Sequence, residues 1–531
     1  MNGSSPAVEA TGPWAPFTHA PFTVLWIAAV VSNVGNWMHD VGAGWLMTEL
    51  SQSPAVVATV QAATTLPVFL FVLFAGAIAD IVDRRWLLIG VNIFNAVVAG
   101  TLAVLVALDQ VTPIILIAFT LLLATGTAVS SPAWQALLPA LVPREKLASA
   151  IALNSMGINI ARAIGPAIAG FLIVAVGLWS PFALNALSFA GIILALLWWR
   201  PPARPAGSLP PEDVGTAVVA GLRYAANSAP LGATLLRAVV FFLFASAFWA
   251  LLPLIAREEL QGDATLYGLL LTSVGVGAVG GALLLPIART RLGIEMAVFL
   301  AALAMAVSLV VLALVPHAAV AVVAAALAGL SWITVLSSLN LSAQSALPDW
   351  VRARGMSIYL MIFYGSMAIG SLIWGQVASY FGISAALQIA AVGTLLGTSF
   401  ARFAKLNLAA GQDLAPALHW PAPVVDPSLM AADRITLIVI RYAVPDENRA
   451  RFQKLMQEMA KARRRYGGYR WSLVQDVADP ATFLEVWQEA SWTQHLRHHE
   501  RVTGADHQLQ QEIQALLAHP CVVAHFVAPA D

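Results

Sequence analysis

The chain of 531 residues has a mean hydropathy of +0.78, with 59% hydrophobic and only 11% charged residues. That balance excludes an ordinary soluble enzyme and a basic nucleic-acid binder, and points to a chain whose bulk lies in lipid. A net charge of zero conceals two parts, because residues 1–405 hold 16 Lys/Arg and 14 Asp/Glu, whereas the short stretch 406–531 holds 12 and 14.

In chain order, residues 1–21 carry four prolines and no Lys or Arg. They lack the basic stretch of a cleavable signal and are expected to be a disordered start. Apolar runs of spanning length follow near 22–48, 54–79, 86–108, 113–134, 147–177 and 181–199. Six more lie near 231–256, 265–288, 294–315, 318–340, 354–378 and 383–404. The expectation is an all-α membrane domain of twelve transmembrane helices, with one six-helix bundle over 22–200 and a second over 231–405. Between them, 201–230 starts with prolines and continues with Val214, Val218, Leu222 and Ala225 at helical spacing, a linker with one amphipathic helix along the membrane face. Arg84, Arg85, Arg144, Lys146, Arg200, Arg289, Arg352 and Lys405 fall on one side of the runs and Arg257 on the other. The positive-inside rule then puts both termini in the cytoplasm.

The second bundle echoes the first. Gly76-Ala-Ile-Ala-Asp80 with Arg84 matches Gly281-Ala-Leu-Leu-Leu285 with Arg289, and Leu138-Pro-Ala-Leu-Val142 matches Leu347-Pro-Asp-Trp-Val351. Two matches at nearly one offset suggest two six-helix repeats, the second copy lacking the acid.

Charged groups inside spanning helices cost about 2.5–3.5 kcal/mol each and need a reason. In the first run Asn33, Asn36 and Asp40 form a polar stripe, and in the fifth Asn154, Asn159 and Arg162 precede Gly165, Pro166 and Gly170. The Arg162 guanidinium keeps its charge and must find an anion, a carbonyl or a wet cavity. Asp40 is expected to exchange a coupling proton with Arg162 as its electrostatic partner; alternatively it reaches water near the outer end, as Glu49 does. His39 is expected to be packed or interfacial.

The Gly76–Arg85 stretch resembles the loop between the second and third helices of major facilitator transporters. That resemblance implies a conformational latch of Gly76, Asp80, Arg84 and Arg85, with the acid facing a helix N-terminus of the other half. Gly157, Gly165, Pro166 and Gly170 resemble the glycine-proline bend motif of exporters in that superfamily, with Ala169 where a further Gly is usual. The runs Ser131–Glu145, Ala152-Leu-Asn154, Ala161–Pro166 and Asn33–Met38 are similar to the branch of the enterobactin exporter and macrolide efflux pumps.

After a linker over 406–431 the periodicity changes. Residues 435–442, 470–477, 482–489 and 522–528 read as strands, and 447–466 and 492–518 as helices. The order βαββαβ gives an α+β ferredoxin-like soluble domain over 432–531. Arg463-Arg-Arg-Tyr-Gly467, Ser491-Trp492 and the stretch from His495 to Arg501 resemble antibiotic-biosynthesis-monooxygenase-type domains fused to some members of this branch, which implies a homodimer through the sheets. His495, His498 and His499 have no second ligand set at matching spacing, so a solvated helix face or pocket rim is expected, with no metal and no cofactor. Cys521 is the single cysteine, which suits a cytoplasmic tail. Nothing resembles a nucleotide-binding loop, so an ion or substrate gradient must supply the energy.

The expectation is a secondary exporter of a small organic molecule in the bacterial cytoplasmic membrane, with cargo, protons and the bilayer as partners and no nucleic acid. A membrane-anchored monooxygenase-like enzyme and a ligand sensor acting through the tail stay open.

Overall fold

The computed structural model describes residues 12–200, 214–406, 413–417 and 434–528, with side chains except at 76–81, 144, 214, 216 and 217. The chain divides into two compact units. The first, Met1–Pro210 with Leu236–Leu339 and Leu360–Phe403, is helical; the second, Pro211–Leu235 with Asn340–Tyr359 and Ala404–Asp531, holds the sheet.

In the first unit, helices α1 (Ala20–Leu50), α2 (Pro54–Ile81), α3 (Arg84–Ala107), α4 (Pro113–Leu137), α5 (Leu147–Ala175) and α6 (Ser180–Trp198) precede the linker. After it come α8 (Ala229–Leu254), α9 (Ala264–Leu314), α10 (Ala318–Ser345), α11 (Arg352–Phe381) and α12 (Ile383–Ala401), of which the parts within 229–235, 340–345 and 352–359 belong to the second unit. Among the described residues, 10 helices are long and apolar enough to cross a membrane. A straight α9 of 51 residues would extend about 77 Å, more than twice the hydrocarbon thickness of a bilayer. It does not run straight: Gly293, at φ 79° and ψ 162°, breaks it between the two apolar runs expected there. Helix α1 has spanning length too, but its polar stripe dilutes its hydropathy. Residues 12–21 are not the disordered start expected, since Ala15–Thr18 form a 3₁₀ turn and Phe17 packs edge-on to Trp26, ring centroids 5.0 Å apart.

Helix ends follow local chemistry. Asp83 accepts from the backbone N–H groups of Arg85 and Trp86 at the start of α3, and Asp263 accepts from that of Leu266 at the start of α9. Neighbouring helices approach through small residues, most closely where a Cβ added to Gly277 would stand 1.8 Å from the Ala326 carbonyl oxygen.

In the second unit, strand β1 (Thr436–Ala443) pairs antiparallel with β3 (Thr482–Glu489) and with β4 (His519–Val527), and β2 (Tyr469–Gln475) pairs with β3. The sheet order is β2-β3-β1-β4. One face sends Ile438, Ile440, Tyr442, Phe483 and Trp487 against Phe452, Met456 and Met459 of α13 (Arg449–Tyr466). The other face carries Val439 paired with Val486 and Ala524, and leaves Val522 and Phe526 exposed. The linker helix α7 (Val214–Asn227) belongs to this unit: the Tyr224 hydroxyl donates to the Ala346 carbonyl at 3.0 Å, and Arg465 of α13 donates to the Asn227 carbonyl at 3.4 Å.

Two expectations for the tail are corrected. The stretch 492–518 is two helices, α14 (Trp492–Arg501) and α15 (Gly504–Gln514), because the Thr503 side chain accepts from the Asp506 N–H and starts a second helix. His495 and His498 are not on a solvated face. Both are 1% exposed, drawn inward by the carboxylate of Glu489 at the end of β3. The alternative of a pocket rim holds for His495 and His499.

Candidate functional site

Asn36 and Asp40 lie one turn apart on α1 and open, with Trp37, His39 and Gly44, into a cavity of about 350 Å³ inside the helical unit. On α2, Gln61, Thr64, Thr65 and Val68 repeat at one-turn spacing and face the same space, joined by Thr120 and Thr127 of α4 and Asn185 of α6. Thr64, Thr65 and Thr120 donate their hydroxyl protons to carbonyls one turn back at 3.0, 2.9 and 2.8 Å. Their lone pairs remain, so this wall is rich in acceptors.

The cation on that wall is Arg162 of α5, whose guanidinium lies 5.4 Å from the Trp37 ring centroid and whose Nε has no hydrogen-bond partner. Asp40 and Arg162 thus share the cavity, but no ion pair joins them among the described residues. His39 packs edge-on to Phe182 at 5.0 Å, and neither of its ring nitrogens has a partner. Of the other polar candidates, Asn33 donates to its own helix at Ala29, Asn159 does so at Ser155, and Asn154 accepts from Trp134 at 3.1 Å. None of these three lines the cavity.

The opposite wall is aromatic. Trp249 of α8, Tyr267 of α9, Trp332 of α10, and Phe363 and Tyr364 of α11 supply rings, with Trp249 and Trp332 5.2 Å apart and Phe363 6.1 Å from Trp332. Aromatic residues within apolar runs have no spacing that separates a cavity wall from a lipid-facing side; Gln61 and Asn185, being amides within spanning runs, could have been found.

The two helix sets approach closely at the end where α1 finishes and α2 begins. Arg257, in a turn of π-helix over Ile255–Glu259, donates to Thr48 Oγ1 at 3.1 Å, lies 4.0 Å from Glu49 and stacks over Trp45. Glu49 is therefore engaged rather than merely reaching water. Ser379 Oγ of α11 accepts from the Ala55 N–H at 2.9 Å. A Cβ on Gly170 would meet Ala264 O at 2.6 Å, and one on Gly268 would meet Pro166 O at 2.5 Å. Gly157 and Gly165 do the same for α1, facing Val30 and Trp37. The glycine-proline stretch of α5 is thus a seam against both α1 and α9, while α5 stays helical through Pro166.

Of the expected latch, Asp80 has its side chain outside the described residues, and the surroundings of Gly76 are outside them too. Arg84 donates to Ala136 O at the end of α4 at 2.9 Å, and Arg85 donates to Leu196 O and Leu197 O of α6 at 2.7 and 2.8 Å. Both place a cation at a helix C-terminus, where the backbone dipole favours it.

The profile of the transmembrane secretion effector family matches residues 11–530. The chain is 25% identical over 366 residues to the staphyloferrin A transporter of Staphylococcus aureus, covering 68% of this chain and 90% of that one. It is 23% identical over 385 residues to the multidrug efflux pump Tap of Mycolicibacterium fortuitum, covering 71% and 93%. A crystal structure of a mutant of the nucleoside transporter NupG matches with a TM-score of 0.62 at 13% identity, over 72% of this chain and 100% of that one, which bears on fold alone. With a helical bundle around a cavity lined by polar and aromatic side chains and a family match over nearly its whole length, the chain belongs to the transmembrane secretion effector family of major facilitator transporters and is a multi-pass membrane protein.

Proposed function

We propose that the chain is a secondary exporter, carrying a small amphipathic organic molecule outward across the bacterial cytoplasmic membrane by alternating access in antiport with protons. The observation that carries this reading is the division of the cavity into an acceptor-rich wall with Arg162 and an aromatic wall around Trp332. Such a site suits a cargo with a polar, anionic or hydrogen-bonding edge and a flat apolar body. Relatives named for staphyloferrin A transport and multidrug efflux support the direction and the class.

Counting α1 and both parts of α9 as spans gives twelve helices in two six-helix repeats. Arg84 reaching α4 and Arg289 reaching Ser338 of α10 at 3.2 Å support the repeat. With both termini cytoplasmic, the close approaches around Arg257 and Gly268 fall at the outer face, so the cavity is sealed outward. Asp40 takes the coupling proton, and Gly76, Asp80, Arg84 and Arg85 form the inner latch. The tail is a ferredoxin-like domain that pairs two chains through the apolar sheet face bearing Val522 and Phe526.

Uptake into inverted vesicles under an imposed pH gradient tests the reading, across chelating carboxylates, macrolides and planar aromatic cations. Accumulation of one class, abolished by both Arg162→Ala and Trp332→Ala, supports it. No accumulation of any class, or transport indifferent to both substitutions, contradicts it.

A further inference from the structure

The second unit contains a cavity of about 250 Å³ unconnected with the transport reading, bordered by Tyr442, Met459, Arg463 and Ile513, and by three histidines from two elements. His495 and His499 stand one turn apart on α14, and His525 comes from β4, where alternation turns it with Cys521 and Val523 toward the helices. A ligand nitrogen from each of the three lies within 4.8 Å of the others.

Glu489 fixes how these rings present themselves. Its carboxylate is fully buried and accepts from Trp487 Nε1 at 2.9 Å, His498 Nδ1 at 2.6 Å and His495 Nδ1 at 3.1 Å. With Nδ1 of His495 held by the Glu489 carboxylate, Nε2 is the ring nitrogen left to a ligand. That Nε2 is 3.1 Å from Nε2 of His499.

Two imidazole nitrogens bound to one tetrahedral zinc ion lie about 3.3 Å apart, given Zn–N bonds of about 2.0–2.1 Å. The His495–His499 separation is close to that. By contrast, the 2.6 Å from His498 to Glu489 is too short for two ligands of one ion and fits a charge-assisted hydrogen bond. Glu489 is therefore the outer partner, in the arrangement where a carboxylate orients a metal-bound histidine. Arg463 on the cavity wall does not oppose a cation, because Glu485 engages it through Nε and Nη2 at 3.1 and 3.3 Å.

We propose that the tail binds one divalent transition-metal ion of the zinc class through His495, His499 and His525, oriented by Glu489, with a fourth position open to the cavity. Three neutral imidazoles and one vacant position are the ligand set of zinc sites that take an exchangeable water or small anion. The sequence showed only the pair at four-residue spacing; the third ligand lies 26 residues further on, in a strand.

The test uses the purified full chain in detergent, stripped with a chelator and titrated with Co²⁺ and then Zn²⁺. One equivalent of Co²⁺ with the visible bands of a four-coordinate ion, displaced by Zn²⁺, is expected. His499→Ala and His525→Ala should each weaken binding at least tenfold, and Glu489→Gln about 10–100-fold with the bands retained. His519→Ala, an exposed histidine outside the cavity, should change nothing. Glu489→Gln could unfold the domain, so the half-buried His499 and His525 decide. No stoichiometric binding, or binding equal in those two variants, overturns the proposal.

Discussion

In the tail, Arg463 meets Glu485 through two nitrogens, Glu489 collects Trp487, His495 and His498, and Asp506 accepts from Arg465, Tyr466 and Thr503. In the bundle, Asp40 and Arg162 share one cavity without meeting, and the Arg162 Nε has no partner. Both regions put charge where water is scarce, at considerable cost. Complete pairing fixes one arrangement of the tail. Incomplete pairing in the bundle leaves a wall that a cargo, a proton or a shift of helices would complete, as the proposed two-state carrier requires.

Removing one member of each set tests that contrast. Glu485→Gln leaves Arg463 buried beside a neutral amide, and the tail should lose about 3–5 kcal/mol, seen as a lowered melting transition of the full chain. Arg162→Gln should leave melting nearly unchanged while abolishing transport. Equal destabilisation by both would erase the distinction.

Next in size is the seam between α5 and α9. Gly268→Leu puts a side chain where Pro166 O stands, and overpacking costs about 1–3 kcal/mol. Transport should fall at least tenfold in vesicles containing normal amounts of protein. Unimpaired transport would mean that the two halves need not approach there.

Acid should separate the regions further. The folded tail holds His499 at about 3 against an ordinary 6.5, chiefly through burial, so the unfolded chain takes up that proton first and stability falls as pH drops below 6.5. Glu489, depressed by His498 and its hydrogen bonds despite burial, adds a further loss below its ordinary 4.5. The tail should melt at a lower temperature at pH 5 than at pH 7.5, and a flat profile would contradict the pairing described. The smallest effect is expected for Arg257→Ala, whose half-exposed contact with Glu49 is worth about 0–1 kcal/mol and should change transport less than tenfold.

The membrane helices were legible because continuous apolar runs of spanning length have few other readings, and even the break at Gly293 fell between two recognised runs. The division at Thr503 was missed although Thr503-Gly-Ala-Asp506 is a capping signal, because the apolar spacing on either side suggested one helix. The stripe on α1 led to Asn36 and Asp40, yet Asn33, Asn154 and Asn159 turned to local partners, since a side chain that can bond one turn back or to a neighbouring helix need not face a cavity. Glu485 and Glu489 alternate with Phe483 and Trp487 on the buried face of β3. That pattern of acids among aromatics was the available sign of a buried charge network. His525 could not be joined to α14 without the register of β4 against β1.

Asp40, which has no ion-pair partner among the described residues, is proposed as the site of the coupling proton. Proteoliposomes containing the wild-type chain or Asp40→Asn, loaded with a transported compound and given an imposed pH gradient, test it most directly. The wild type should drive uphill accumulation with matching proton flux, while Asp40→Asn should exchange cargo downhill and neither accumulate it nor move protons. Uphill transport by Asp40→Asn at the wild-type rate would contradict the account.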